Sequence, residues 1–534
     1  MKILFTSHVP NQHIKDRDPL GIMCLSASLK KANHEVRICV PEIREMEQML
    51  EEFPADVIAY SIATGDHAFY IEFNRLVKKR HNTIYSVFGG PHCTFNPDFI
   101  IENLDVDAMA SGEADLSFVD FIDSLESDNN YHLTPNFHVR RNGEIYRNEV
   151  VDLIPDLDDL PFPDRNIIYD YFPKAAANKV KNFMSMRGCP YPCTYCHNHK
   201  LNELYKGKGK ILRRRSVDNV IKEVLDVAKR YPLELVYFRD DSFNLMSDWI
   251  EEFSEKYSKL VKIPFACTSH LNAMTEKTAK ALKKAGCVTV EIGVEAGNER
   301  VRNEILKRHM KDEVIIEGIK ILKSNGIKIL AEVILGNPGS TLDDDLETFT
   351  LNKNCKVDFV NSGMLQPMFG TEIYHTVMKE NELNNATSNS SDQEKKSSSA
   401  VGWEVIGEYG YQAGREALLN IENMEERIRL NKIIAVSTHL RLPLFLVKTL
   451  IRLPFLSFYS LVNHVFKGYA GKRLYPFSRT IKETSSLIIE VMGMDRTNIE
   501  KRLGGSLKEF LAKEKLDQES NPVDQTFQVE PFYR

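Results

Sequence analysis

The stretch Met186-Arg-Gly-Cys189-Pro-Tyr-Pro-Cys193-Thr-Tyr-Cys196-His197 places three thiols within eight residues, at C-x3-C-x2-C spacing, directly after a strand candidate. A structural zinc site normally recruits four ligands as paired cysteines or histidines, whereas a cubane iron–sulfur cluster takes one thiolate per iron. Three thiolates leave one iron without a protein ligand, which is the open position a catalytic metal needs. Completion of a zinc site by His197 is disfavoured, because the adjacent Cys196 and His197 can hardly both face one tetrahedral ion. Glycine and two prolines around the thiols shape a loop that does not demand a backbone hydrogen bond at every step.

Working outward, the cysteine stretch opens a series of strand candidates, Asn182–Met186, Leu235–Arg239, Phe265–Ser269, Thr289–Val294, Lys328–Leu335 and Asp358–Leu365, separated by helical stretches. Six βα units of this kind predict a partial (β/α)6 TIM-like barrel, open on one side. Upstream, Ile3–Ser7, Glu35–Val40, Val57–Ser61, Ile84–Gly89 and Ala108–Ser111 alternate with helices. That pattern predicts a doubly wound parallel sheet of Rossmann-like type, so the fold class is α/β. A helix follows Asp18-Pro-Leu-Gly21 and ends at Asn33, and Asn142-Gly143 reads as a hairpin turn. Ligands of such sheets sit beyond the carboxyl ends of the strands. Here those ends carry Ser61-Ile-Ala-Thr64-Gly-Asp66, Gly89-Gly90-Pro-His92 and Ser111-Gly112-Glu113-Ala-Asp115. The expected division is a sheet domain over 1–150, a rigid extended Pro/Asp-rich linker over 151–180 and the barrel over 181–380, then a flexible polar linker over 381–402 and a mainly helical region over 403–534.

The chain has 534 residues, 43% hydrophobic and 27% charged, as in multidomain globular proteins. A net charge of −6 argues against a nucleic-acid binder, which needs a basic surface, and suits a small or neutral substrate. The first ten residues lack the apolar core of a signal peptide, so a cytoplasmic protein is expected. Of nine cysteines, six (Cys24, Cys39, Cys93, Cys267, Cys287, Cys355) stand singly, which is no disulfide framework. Lys206-Gly-Lys-Gly-Lys210 with Arg213-Arg-Arg215 reads as a solvated loop, or else as charge that screens phosphate or carboxylate near a cofactor. The apolar run Leu442–Phe466 is broken by Pro443, Lys448, Arg452, Pro454 and His464, which argues against a spanning helix. It reads as a core helix pair, with an in-plane membrane-surface helix or an apolar-substrate wall as the alternative.

The cysteine loop resembles the defining motif of the radical S-adenosylmethionine (SAM) superfamily, and the likeness covers roughly residues 182–375. The resemblance implies a [4Fe-4S] cluster on Cys189, Cys193 and Cys196 as the catalytic centre, with SAM chelating the open iron. Tyr195 matches the aromatic position near the adenine. Phe238-Arg-Asp240-Asp241 stands where the family carries a Gly-Gly-Glu motif for the SAM amino group, so either carboxylate could take that contact. Glu291-Ile-Gly-Val-Glu295 is similar to the fourth-strand pattern, with Glu295 near the ribose and methionyl group. Ile334-Leu-Gly336-Asn-Pro338-Gly is similar to the fifth-strand turn near the adenine, and Gln366-Pro-Met-Phe-Gly-Thr371 to a sixth-strand exit.

Pro19-Leu-Gly21, Gly89-Gly-Pro-His92 and Gly112-Glu113 together resemble the cobalamin-binding domain that precedes many such barrels. The resemblance implies cobalamin held by Ser61, Thr64, Gly89, Gly90, His92, Gly112 and Glu113, with no lower axial histidine, since the Asp-x-His-x-x-Gly motif is absent. It further implies reductive cleavage of SAM to a 5′-deoxyadenosyl radical, an electron donor such as flavodoxin or ferredoxin, and methylation of an unactivated carbon in a small-molecule or lipid-like substrate. Ring closure, rearrangement or oxidation with the same cofactors is the alternative, and a non-catalytic iron–sulfur module is a third reading.

Overall fold

The computed structural model describes residues 1–7, 18–387 and 421–475. The first sheet contains parallel strands β1 (Lys2–Thr6), β2 (Glu35–Cys39), β3 (Val57–Ser61), β4 (Tyr85–Gly89) and β5 (Ala108–Ala110) in the order β2-β1-β3-β4-β5. β1, β3 and β4 are mostly buried apolar runs, as in strands covered on both faces, whereas the edge strand β2 exposes Glu35 and Arg37. One face packs Ile3, Phe5, Val57 and Ala59 against helices Leu20–Lys31 and Ser117–Glu126; the other packs Leu4, Ile58 and Tyr60 against helices Ile43–Glu52 and His67–Lys78. Strands β6 (Phe137–Arg141) and β7 (Glu144–Arg147) extend the sheet antiparallel beyond β5. Asn142 and Gly143 both take positive φ, 53° and 82°, as a tight hairpin requires. The first helix exits through Asn33 at φ 67°.

The second sheet is parallel throughout and follows chain order: β8 (Val180–Phe183), β11 (Leu235–Phe238), β12 (Phe265–Ser269), β13 (Cys287–Glu295), β14 (Lys328–Leu335) and β15 (Phe359–Met364). Because β8 and β15 are its edges, the barrel is open between them. The first barrel strand lies earlier than the expected Asn182–Met186. The backbone N–H groups of Ser185 and Met186 donate to Asp240 instead of to a neighbouring strand, so the ladder ends at Phe183. Met186–Arg187 (β9) then pairs with Arg213–Arg214 (β10) as a separate antiparallel ribbon.

The segment expected to be an extended linker is folded onto both domains. Asp156 caps a 3-10 turn at Leu157–Asp159, Leu153 and Leu157 are buried, and Asp164 accepts from Ser26 at 2.7 Å. The fully buried Arg165 then bonds Asp18 and Glu223, the carbonyl of Asn182 and, through its ring contact, Phe183.

Residues 381–387, expected within a flexible linker, continue helix Glu372–Thr387. Residues 388–402 of that linker, and 403–420 and 476–534 of the expected helical region, lie outside the described residues. Helix Met424–His439 packs on β15 and on helix Leu342–Cys355, with Arg427 buried against Asp345 at 3.1 Å. The run Leu442–Phe466 forms helix Leu444–Leu450 and much of helix Leu456–Leu474. The latter buries Phe466, Ala470 and Leu474 against Leu330 and Phe359 of the barrel. No helix among the described residues is long and apolar enough to cross a membrane.

Candidate functional site

The cysteine loop leaves the β9 ribbon through Gly188, at φ 91°, where an added Cβ would sit 2.2 Å from the carbonyl oxygen of Ile211. Only glycine fits that turn. Cys189 and Cys193 are buried and Cys196 half-buried. Cys196 caps helix His197–Leu204, its Sγ accepting from the Asn198 N–H at 3.5 Å. Thr194 fastens the loop by donating to the carbonyls of Leu306 and Ile305. Arg308 donates to Cys193 Sγ at 3.4 Å, a fixed positive charge beside a sulfur that must carry negative charge to ligate iron. A tetrahedral zinc site would draw its thiolates to within about 4 Å of one another. Among the described residues the three thiols form no group within 4.8 Å; His34, Asp123 and Glu126 do, and that group bonds internally and to the N-terminal amine. The donor set therefore fits a multi-iron cluster rather than a single zinc ion.

Two carboxylates follow β11, and the fold separates their roles. Asp240 is fully buried and accepts from Ser185 N–H and Oγ at 2.6 Å and from Met186 N–H at 2.8 Å, which anchors the start of the loop. Asp241 faces the cavity described below, where its side chain is accessible, and hydrogen-bonds Asn198. On β13 a bulge at Gly293–Glu295 turns Glu295 to φ 63°, a strained backbone for a non-glycine residue. Its carboxylate accepts from Tyr195 Oη at 2.8 Å and lies 4.0 Å from Arg308. Burial raises Glu295 despite that guanidinium. Tyr195, Ala296, Ile334 and Leu365 share one apolar cluster. Gly336 and Pro338 are buried in the turn that follows Ile334, where a Cβ on Gly336 would meet Met364 Cε at 2.7 Å.

A cavity of about 450 Å3 lies between the two sheets, within the range of cofactor sites. Ser61, Gly89, Gly90, Gly112 and Glu113 line it from the first domain, and Met186, Gly188, Asn198, Arg239 and Asp241 from the barrel. Gly89 leaves the end of β4 bare of a side chain where a bulky ring would have to approach, while Gly90 and Gly112 are demanded by close contact with the Ile62 backbone and the Tyr205 hydroxyl; with Ser61 beside them the residues present fit cobalamin. Thr64 and His92 are not lining residues. Their side chains are buried and bonded to each other, Oγ1 to Nδ1 at 3.1 Å, and His92 stacks on His67 at 4.2 Å. Burial, with His67 and His197 nearby, pushes His92 down to about 3, so it is neutral.

Glu113 reaches the cavity, but its carboxylate accepts from Arg187 at 3.0 Å and from Arg213. Arg213 to Arg215 are therefore no solvated loop. Arg214 donates to the carbonyls of Phe243 and Leu245, and Arg215 pairs with Glu223. Sequence reasoning missed Arg187 and Arg308, which meet Asp115 and Cys193 far away along the chain; no local pattern marks them.

Residues 183–351 match the family model described as the radical SAM superfamily, and residues 15–122 the one described as the B12 binding domain. An uncharacterized methyltransferase of Pyrococcus horikoshii is 26% identical over 378 residues, covering 68% of this chain and 79% of its own. Among solved structures, the cobalamin-dependent SAM radical enzyme OxsB superposes with a TM-score of 0.63 at 15% identity, covering 97% of this chain and 80% of its own. The radical SAM methyltransferase TsrM of Kitasatospora setae, solved with cobalamin and a [4Fe-4S] cluster, superposes with a TM-score of 0.57 at 14% identity, covering 71% and 78%.

Proposed function

Because the chain belongs to the radical SAM superfamily, in the group with an N-terminal B12-binding domain, we propose that it is a cobalamin-dependent methyltransferase acting on an unactivated carbon of a small-molecule or lipid-like substrate. The observation that carries this reading is the cavity between the sheets, lined by the bare end of β4 on one side and by Asn198 and Asp241 beside the cysteine loop on the other. When bound, the cluster supplies the electrons for SAM cleavage and cobalamin supplies methyl-transfer chemistry. A flavodoxin- or ferredoxin-like protein is the reductant class this chemistry calls for.

The chain's own residues then bind and orient. Cys189, Cys193 and Cys196 hold the cluster, with Arg308 and Asn198 donating to two of the sulfurs. Asp241 receives the SAM amino group as a charge-assisted acceptor. Tyr195, Glu295, Gly336 and Pro338 form the wall for its ribose and adenine, the Tyr195–Glu295 bond holding the carboxylate in one orientation. Ser61, Gly89, Gly90 and Gly112 supply the floor for cobalamin, while Glu113 fixes the loop beneath it, its carboxylate committed to two arginines, its N–H to Tyr205 Oη and its carbonyl to Asn136. Keeping water out of the gap between the cofactors is the task of the apolar lining, Phe5, Leu25, Val87, Phe88 and Met186.

Incubating the reduced holoenzyme with SAM that carries a deuterated methyl group, followed by mass analysis of the bound cobalamin, tests the reading. Label on the corrinoid supports it, and an unlabelled corrinoid despite SAM turnover contradicts it.

A further inference from the structure

The described residues expose eighteen large hydrophobic side chains, and nine of them lie between Leu440 and Tyr469. All three exposed phenylalanines, Phe445, Phe455 and Phe458, are in that group. The other nine are scattered from Ile101 to Ile316, as single exposed apolar residues normally are. In helix Leu456–Leu474, Phe458, Leu461, Val465 and Tyr469 follow at spacings of three, four and four, which places them on one face. The opposite face, Tyr459, Phe466, Ala470 and Leu474, is buried on the protein. The turn Leu453-Pro-Phe-Leu456 joins this face to Phe445 on the preceding helix, and Leu453, Phe455 and Leu456 are exposed there.

Charge along this stretch of the chain has one sign, although Lys448 is paired with the exposed Asp343 of helix Leu342–Cys355 at 2.9 Å. From Leu440 to Tyr475 the sequence contains six lysines and arginines and no aspartate or glutamate. Arg441, Arg452 and Arg473 are exposed around the apolar face. Aromatic and aliphatic residues on one face with arginines at its margin are the composition of a helix lying in the plane of a bilayer surface. A two-fold contact between copies would set the same arginines against one another, which disfavours a second copy as the occupant. Anionic headgroups meet them with opposite charge.

We propose that the helix pair Leu444–Leu450 and Leu456–Leu474 docks the protein peripherally on an anionic lipid bilayer. Phe445, Phe455 and Phe458 enter the headgroup–acyl boundary, and Arg441 and Arg452 contact lipid phosphates. The opposite side of the second helix packs on the barrel, so docking holds the barrel close to the membrane surface.

Flotation of the full-length, anaerobically purified protein with phosphatidylcholine vesicles, with and without phosphatidylglycerol, tests this. The protein is expected to float with the anionic vesicles, and to be released at about 1 M salt, where the screening length falls to about 3 Å. Arg441→Gln with Arg452→Gln should lower partitioning about thirtyfold. Phe445→Ser with Phe455→Ser and Phe458→Ser should abolish it, iron content and thermal midpoint being unchanged in both. Absence of flotation in the unaltered protein, or full flotation of the phenylalanine variant, overturns the proposal. So does a dimer that becomes monomeric in that variant without any vesicle binding, an outcome that assigns the face to a second copy.

Discussion

Arg187 grips Asp115 through both guanidinium nitrogens, Nη1 to Oδ2 at 2.7 Å and Nη2 to Oδ1 at 2.9 Å. Asp115 stands in the loop between β5 and helix Ser117–Glu126, and Arg187 stands two residues before the first cluster cysteine. The contact ties the cobalamin-binding sheet to the cysteine loop, and Glu113 reinforces it by accepting from the same arginine. Burial alone would raise the Asp115 carboxyl, but Arg187, a backbone hydrogen bond and Arg213 together outweigh it and the net shift is downward. Removing one partner leaves the other buried and unpaired, so Asp115→Ala should cost about 3 kcal/mol in chemical denaturation. In a double-mutant cycle with Arg187→Met the coupling should be about 1 kcal/mol or more; additive losses would contradict the clamp.

Cys189→Ala, Cys193→Ala and Cys196→Ala should each lose the iron and the visible absorption of the cluster, whereas Cys24→Ala and Cys93→Ala should keep both. Iron analysis after anaerobic reconstitution decides the matter, and full iron content in all three loop variants would refute the ligand set.

Gly89 lines the cavity, and a Cβ added there would meet nothing nearer than 3.6 Å, so a larger side chain can enter the cavity without disturbing the strand. Gly89→Leu should therefore leave the thermal midpoint nearly unchanged and weaken cobalamin binding at least about tenfold, or about 1.4 kcal/mol. Unaltered cobalamin affinity, read by absorbance titration, would place the cofactor elsewhere.

The adjacent aspartates should separate in opposite ways. Asp240→Ala strands three donors and should cost about 3 kcal/mol of stability. Asp241→Ala should spare stability and weaken SAM binding, measured by calorimetry on the cluster-loaded protein. The reverse pattern would exchange their roles.

Inside the barrel, burial and the neighbouring Glu291 push Glu332 up from 4.5 to about 8, although Asn361 donates to both its oxygens. Between those values the unfolded chain has released a proton that the folded one retains, so stability falls as pH rises through that window. Glu332→Gln removes this loss. Its stability relative to the unaltered protein should climb across the window and level off above about 8. A pH-independent difference in urea unfolding would show that Glu332 is ionised throughout.

Much of the fold was legible because its signals are local. Val57–Ser61, Phe265–Ser269 and Lys328–Leu335 are apolar runs bounded by turn residues, and they form strands at those bounds. Asn33 and Asn142-Gly143 mark backbone that needs positive φ. The cysteine spacing carries its chemistry in twelve residues. What the sequence could not show depends on contacts between distant positions. Asp240 and Asp241 both stand past the end of a strand, where alternation no longer tells which points inward. Glu113 reads as a cofactor residue from its motif, yet two arginines from the barrel occupy its carboxylate. The break between Phe183 and Met186 follows from Asp240, more than fifty residues away.

Mass-spectrometric quantification of 5′-deoxyadenosine and S-adenosylhomocysteine, from anaerobically reconstituted protein given SAM, cobalamin and a strong reductant, tests the central claim most directly. A cobalamin-dependent methyltransferase yields both products, with S-adenosylhomocysteine dependent on cobalamin. 5′-Deoxyadenosine alone would contradict methyl transfer and favour ring closure or rearrangement, and neither product from a cluster-loaded, cobalamin-bound protein would contradict the radical SAM assignment itself.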